Sequence, residues 1–127
     1  ECDDNKAAAT AWTSSGGNKL HTFKGKIIQT SGLERDVELY NYSLFSFIDG
    51  HTFNYEMMAY NPMAFIEMNS SINFDKSRDM YVEKISSKVL TWKNENTFKI
   101  DSNGQVVFSR QVFHPFQPVI EMEFYYK

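Results

Sequence analysis

Residues 96–111 constrain the fold of this chain more than any other stretch. Asn96-Thr97-Phe98-Lys99-Ile100 is a β-prone run, Asp101-Ser102-Asn103-Gly104 is a polar turn cluster, and Gln105 to Gln111 is β-prone again. That order is the signal of an antiparallel hairpin, with Asn103 and Gly104 as residues that tolerate positive φ. A hairpin alone cannot bury its apolar face, so it needs further strands.

The rest of the chain supplies them. After polar residues 1–8, expected to be a flexible N-terminal segment, Ala9 to Trp12 reads as a strand. Ser14-Ser15-Gly16-Gly17-Asn18 turns it back into a second strand through Leu20, Thr22 and Phe23. Gly25 is expected to be a tight turn or a bulge, because Lys26-Ile27-Ile28-Gln29-Thr30 resumes at once as a strand, closed by Ser31-Gly32-Leu33. Residues 34–62 are dense in apolar side chains but follow neither strand nor helix periodicity throughout. Within them Ser43 to Ile48 is expected as a short strand or helical turn, Asp49-Gly50 as a turn, Thr52 to Tyr60 as a strand and Asn61-Pro62 as its end. Met63 to Met68 and Ile72 to Phe74 are two extended pieces, and Asp75 to Asp79 is a charged turn.

Met80 to Leu90 fits an amphipathic helix through Val82, Ile85 and Val89, or a strand in which Tyr81, Glu83 and Ile85 share one face. The strand is preferred, since a lone helix would need an apolar partner face that the β-rich surroundings do not offer. Asn94-Glu95-Asn96 then reads as a turn into the hairpin. Gln105 to Phe113 is a long strand, Pro115 and Pro118 mark an edge or corner, and Val119 to Tyr126 is the last strand, with Ile120, Met122, Phe124 and Tyr126 on one face. Seven or more short strands separated by turn signals predict an all-β fold, a barrel-like or strongly curved antiparallel sheet, in one domain over residues 1–127.

Composition narrows the function classes. Thirteen Lys and Arg against 16 Asp and Glu leave a net charge of −3, and the cations are scattered, which argues against nucleic acid as a partner. No apolar run approaches the roughly 20 residues of a membrane helix. Cys2 is the single cysteine, so no internal disulfide is expected. An acylated lipoprotein cysteine would open the mature chain, and Glu1 before Cys2 weighs instead for an ordinary thiol.

Catalytic chemistry has little support. His21, His51 and His114 fall in different elements and none has metal-ligand spacing; His51, between Asp49 and Glu56, is the least weak candidate, set against an ordinary turn histidine. There is no nucleophile elbow, no phosphate-binding glycine loop and no base beside Cys2. No enzyme activity, cofactor or metal is expected. The aromatic side chains are more suggestive, at 16% of residues. Tyr40, Tyr42, Phe45, Phe47, Phe53, Tyr55, Tyr60, Phe65 and Trp92 offer stacking faces for sugar rings or a dock for a partner, and equally the filling of a barrel, which is the larger expectation. Trp12 faces the same choice, with the core favoured. Asn41-Tyr42-Ser43 and Asn69-Ser70-Ser71 match a glycosylation acceptor that chance produces often. Arg110 shares a face with Phe108 and Val112 if its strand alternates, which would bury it beside Asp101 or a glutamate; a bulge would put it in water.

Two blocks resemble a known family. Trp12-Thr13-Ser14, the Leu20 to Thr22 strand and Gly25-Lys26-Ile27-Ile28-Gln29-Thr30-Ser31-Gly32-Leu33 are similar to the N-terminal signature of the YjbF/GfcB (YmcC-like) group of outer-membrane lipoproteins. Asn96-Thr97-Phe98-Lys99-Ile100-Asp101, followed by Gly104, Val106, Val107, Ser109, Gln111 and Pro115, resembles the same group's C-terminal pattern. Lys26 stands where the group usually has Arg, Lys99 where it has an aromatic, and the middle third has no counterpart. The resemblance implies a barrel-like antiparallel fold and a lipid-anchored place on the periplasmic face of the outer membrane. It also implies a role beside capsule or exopolysaccharide secretion, with no enzymatic activity or ligand attached. The leading expectation is therefore a non-enzymatic accessory lipoprotein that contacts polysaccharide export proteins or the polysaccharide itself. The alternative is a β-barrel carrier of a small apolar ligand or lipid. A glycan hydrolase is a distant third, needing two carboxylates among Asp49, Glu56 and Glu67 to face one cleft.

Overall fold

The computed structural model describes residues 9–13, 17–61, 63–87 and 91–124. Among the described residues ten strands follow one another: β1 (Ala9–Thr13), β2 (Lys19–Phe23), β3 (Lys26–Ser31), β4 (Val37–Tyr40), β5 (His51–Ala59), β6 (Ala64–Asp75), β7 (Met80–Ser87), β8 (Trp92–Ile100), β9 (Val106–Gln111) and β10 (Ile120–Glu123). Each pairs antiparallel with the next, so sequence order and sheet order are the same. The result is a ten-stranded meander curled into a half-barrel. The expectation of a barrel-like or strongly curved antiparallel sheet is met.

Local chemistry accounts for the hairpins. Lys24 and Gly25 both take positive φ, 50° and 84°, the two-residue turn whose twist suits adjoining strands. Asp101 shapes the β8–β9 turn, its Oδ1 accepting the backbone N–H of Asn103 at 2.8 Å and of Gln105 at 3.0 Å. Only Gly104 of the Asn103-Gly104 pair has positive φ, at 81°. Alternation decides the faces: Phe53, Tyr55, Met57 and Ala59 of β5 and Ile66, Met68, Ser70 and Ile72 of β6 are buried, while residues between them reach solvent more freely.

Several sequence expectations are corrected. Asn94-Glu95-Asn96 is no turn but mid-β8, paired with Ile85, Lys84 and Glu83; Asn96 is polar because it faces a buried glutamate. The chain reverses before Trp92, where Thr91 has φ 51°, and residues 88–90 lie outside those described. The pieces Met63 to Met68 and Ile72 to Phe74 are not separate: from Ala64 onward they belong to one strand, β6, whose central Asn69-Ser70-Ser71 is paired on both sides. Ser43 to Ile48 forms neither strand nor helix. It is a loop whose turn, Phe45 N–H to the Tyr42 carbonyl at 2.9 Å, drives Phe45 fully into the half-barrel. There Phe45 meets Phe47, Phe53 and Phe98 at ring separations of 5.1, 6.1 and 5.6 Å. The last strand ends at Glu123 rather than Tyr126, with residues 125–127 outside those described. Cys2 and the 1–8 segment also lie outside them.

The curl brings sequence-distant elements together. Gly25 lies against Val106, where a Cβ would come within 2.5 Å of Val106 Cγ2. Gln111 Oε1 accepts the Ile27 N–H at 2.9 Å, and its Nε2 donates to the Gly25 carbonyl at 2.8 Å and to Ser109 Oγ at 2.9 Å. Trp12 packs edge-on against Phe124 at 5.2 Å and donates from Nε1 to Thr22 Oγ1 at 2.9 Å. Thr30, Gly32 and Leu33 shape the exit from β3: Asp36 Oδ1 accepts from Thr30 Oγ1 at 2.8 Å and from the Leu33 N–H at 3.1 Å, and Gly32 has φ 87°. The two blocks that carry the family resemblance thus meet inside the fold.

Candidate functional site

Three regions carry chemistry: a charge cluster inside the half-barrel, a polar groove on its outer face, and aromatic residues distributed between core and surface.

The interior cluster centres on Glu83. Glu83 points inward because it alternates with Ile85 and Ser87 on β7, all three buried. Lys26, at the start of β3, reaches it with Nζ 2.8 Å from Oε1, and the two side chains are 4% and 0% exposed. Ser70 Oγ donates to Oε2 at 2.7 Å and Asn96 Nδ2 to Oε1 at 3.0 Å. Lys26 Nζ also lies over the rings of Tyr55 and Phe45, 4.9 and 5.6 Å from their centroids. Such a pair endures dehydration because its carboxylate is fully hydrogen-bonded. Burial by itself would lower the Lys26 pKa; the Glu83 carboxylate outweighs it and holds the ammonium above its ordinary value. Burial also pushes the Tyr55 phenol up to about 12. Sequence reading missed this cluster. The signal was the glutamate on the apolar face of an alternating strand, Tyr81-Glu83-Ile85.

The outer groove, of about 890 Å³, runs across β5 to β8 and on to Arg110 of β9. Register builds it. Asn54, Asn69, Ser86 and Lys93 are successive cross-strand partners, and Thr52, Ser71, Lys84 and Glu95 form the neighbouring row. Amide and hydroxyl groups that both donate and accept, flanked by cations, suit a hydroxyl-rich ligand.

The aromatic candidates divide. Phe45, Phe53 and Tyr55 are core; Tyr42, Phe47 and Trp92 are half-buried and packed against it. Tyr60 is half-buried beside His114, whose Nε2 lies 2.9 Å from the Tyr60 carbonyl. Tyr40 and Phe65 are exposed on the outer face, their rings 6.2 Å apart, and Tyr40 donates to Glu38 Oε1 at 2.6 Å, which with slight burial raises its pKa to about 12. The structure does not gather the set into one stacking platform. Phe53 alone of these nine aromatics borders the groove.

Arg110 is exposed and pairs with Glu121 of β10 at 3.4 Å. The cause is a bulge: Lys99 opposes Phe108 while Ile100 opposes Val106, so Val107 is an extra residue that shifts the alternation. Asp101 is occupied in its own turn. His51 Nε2 lies 2.7 Å from the Leu44 carbonyl and its ring stacks on Phe53; it begins β5 rather than sitting in a turn. Asp49 caps the Phe74 N–H at 2.9 Å. Glu56 and Glu67 are direct cross-strand neighbours, but on the open outer face, where Asn41 binds Glu56. Among the described residues no group of three or more His, Cys, Asp and Glu is placed to hold a metal ion, and no helix is long and apolar enough to cross a membrane. His114 is buried, accepting the Phe116 N–H at Nδ1 over 3.0 Å, which leaves Nε2–H to donate to Tyr60. The interior that a carrier would need is occupied by Phe45, Phe98, Met57, Met68 and Ile72.

Fold and filling define the class: an antiparallel meander half-barrel with a packed aromatic interior and a polar outer groove. That fold is YmcC-like. The chain is similar to the crystal structure of the hypothetical lipoprotein YmcC from Escherichia coli (K12), with a TM-score of 0.77 and 20% identity over 92% of this chain and 73% of that one. Comparison with protein-family models finds no match, and comparison with curated protein sequences finds none.

Proposed function

We propose that this chain is a non-enzymatic envelope lipoprotein at the periplasmic face of the outer membrane. It serves capsule or exopolysaccharide secretion by contacting glycan or export proteins. The observation that carries the reading is the YmcC-like fold over 92% of the chain, since the YmcC structure is that of a hypothetical lipoprotein. The two signature blocks point the same way, and the outer groove supplies the surface. Its paired rows of Asn, Ser and Thr offer hydrogen bonds to sugar hydroxyls, and Lys84, Lys93 and Arg110 offer charge to acidic substituents. A filled interior leaves the outer face, not a lumen, as the place of contact.

The test is a strain deleted for the gene and complemented with the wild-type chain or with Asn54→Ala/Asn69→Ala/Lys93→Ala. Surface polysaccharide is expected to fall in the deletion, return with the wild type and return only in part with the groove variant. Normal polysaccharide in the deletion strain would overturn the reading.

A further inference from the structure

We infer that Lys26 and Asn96 are the two ends of an intramolecular isopeptide bond, which the folded chain forms by itself with Glu83 as proton carrier. Such a reaction needs an amine beside a carboxamide carbon, a base that also serves as acid, a donor for the carbonyl oxygen, and the absence of water. Each is present at one place.

Lys26 Nζ and Asn96 Nδ2 share a single oxygen, Glu83 Oε1, at 2.8 and 3.0 Å. The amine and the carboxamide are therefore neighbours, held by strands β3, β7 and β8 rather than meeting by diffusion. Asn96 Oδ1 accepts the Val112 N–H at 2.8 Å, a backbone donor aimed at the atom on which negative charge develops when the carbon becomes tetrahedral. Ser70 holds the other carboxylate oxygen at 2.7 Å and so fixes the plane of Glu83. Phe45 and Tyr55 close over the amine, and with Lys26 and Glu83 themselves buried the site is dry.

The balance is complete without an outside reactant. The Lys26 ammonium passes a proton along its hydrogen bond to Glu83, which leaves a neutral amine and a carboxylic acid. The nitrogen lone pair forms the bond to Asn96 Cγ while the carbonyl pair moves onto Oδ1. When the carbonyl re-forms, the Cγ–Nδ2 bond breaks and its electron pair leaves with nitrogen. Of the three ammonium protons one stays on the new amide nitrogen. Glu83 carries the other two in turn to Nδ2, which departs as ammonium and restores the carboxylate. Because Glu83 keeps Lys26 mostly protonated, the event is slow and happens once per molecule. Low dielectric helps it along, since burial favours the neutral pair over separated charges. The product ties β3 to β8 through the interior, across strands that are not sheet neighbours.

Intact-mass spectrometry of the purified full chain is the test, followed by peptide mapping. The wild type is expected to weigh less than its sequence by one ammonia and to yield a branched peptide joining the segments around Lys26 and Asn96. Lys26→Arg, which keeps a cation without a primary amine, and Glu83→Gln, which lacks the proton carrier, are expected at full sequence mass. Wild type at full mass after prolonged incubation overturns the inference and leaves an ordinary buried ion pair. An ammonia loss that maps to any other residues overturns it too. The branched peptide decides on the wild type alone, whether or not the variants fold.

Discussion

Gln111 of β9 binds the backbone around Gly25 with both ends of its side-chain amide, taking the Ile27 N–H and giving to the Gly25 carbonyl at 2.9 and 2.8 Å. The residues are 84 and 86 positions apart, and β3 and β9 share no ladder. One side chain thus supplies the hydrogen bonds that a neighbouring strand would have made, and it holds the curl of the sheet.

Gln111→Leu keeps the volume and deletes that brace. Two backbone groups are left buried and unpaired, each costing about 1–3 kcal/mol. Urea denaturation is expected to show a loss of about 3 kcal/mol. A loss within experimental error would mean that the curl holds without the amide.

Gly25→Ala meets two obstacles, positive φ and the Val106 side chain, whose Cγ2 and Cβ lie 2.5 and 2.8 Å from the new methyl position. The φ penalty alone is about 1 kcal/mol, and the clash adds to it. Val106→Ala removes Cγ atoms but not the Cβ contact, so the double variant should recover part of the clash and none of the φ term. A double-mutant cycle read by thermal denaturation measures that coupling; additive effects would refute the contact.

His114 sets a pH dependence. Burial lowers its pKa below the ordinary 6.5, with Arg35 lowering it further and the Tyr60 carbonyl and Asp36 opposing. In the window below 6.5 the unfolded chain binds a proton that the native chain refuses, so stability rises with pH there. His114's contribution is complete above pH 6.5 and is lost as the pH falls towards the lowered native value. Melting temperature is expected to drop through this window for the wild type and to drop less for His114→Gln. Equal slopes in the two proteins would exclude His114 as the cause.

How much was legible depends on range. The Gly25 turn, the Asp101 to Gly104 turn and the β5 strand followed from residues a few positions apart, because positive φ and period-two alternation are local properties. Asn94 to Asn96 misled for the same reason. Two asparagines and a glutamate are turn chemistry locally, and only Glu83 on the adjoining strand explains Asn96 in a buried position. Phe45 belongs to a loop that turns inward, and such a plug has no period to read. The candidate binding aromatics scattered because burial of each ring depends on strand parity and on what covers it, not on aromatic density.

By itself the sequence determined the turns at Gly25 and at Asp101 to Gly104, the alternation of β5, and that the sheet would be antiparallel and curved. These depend on backbone preference and alternation, which act over a few residues. Only the tertiary structure decided that Lys26, Glu83 and Asn96 converge, that the bulge at Val107 turns Arg110 outward, and that the polar rows of β5 to β8 align into a groove. Twist accumulates strand by strand around the sheet, and register shifts by whole residues at a bulge. Which distant side chains meet is therefore a sum over the fold and is written in no single stretch.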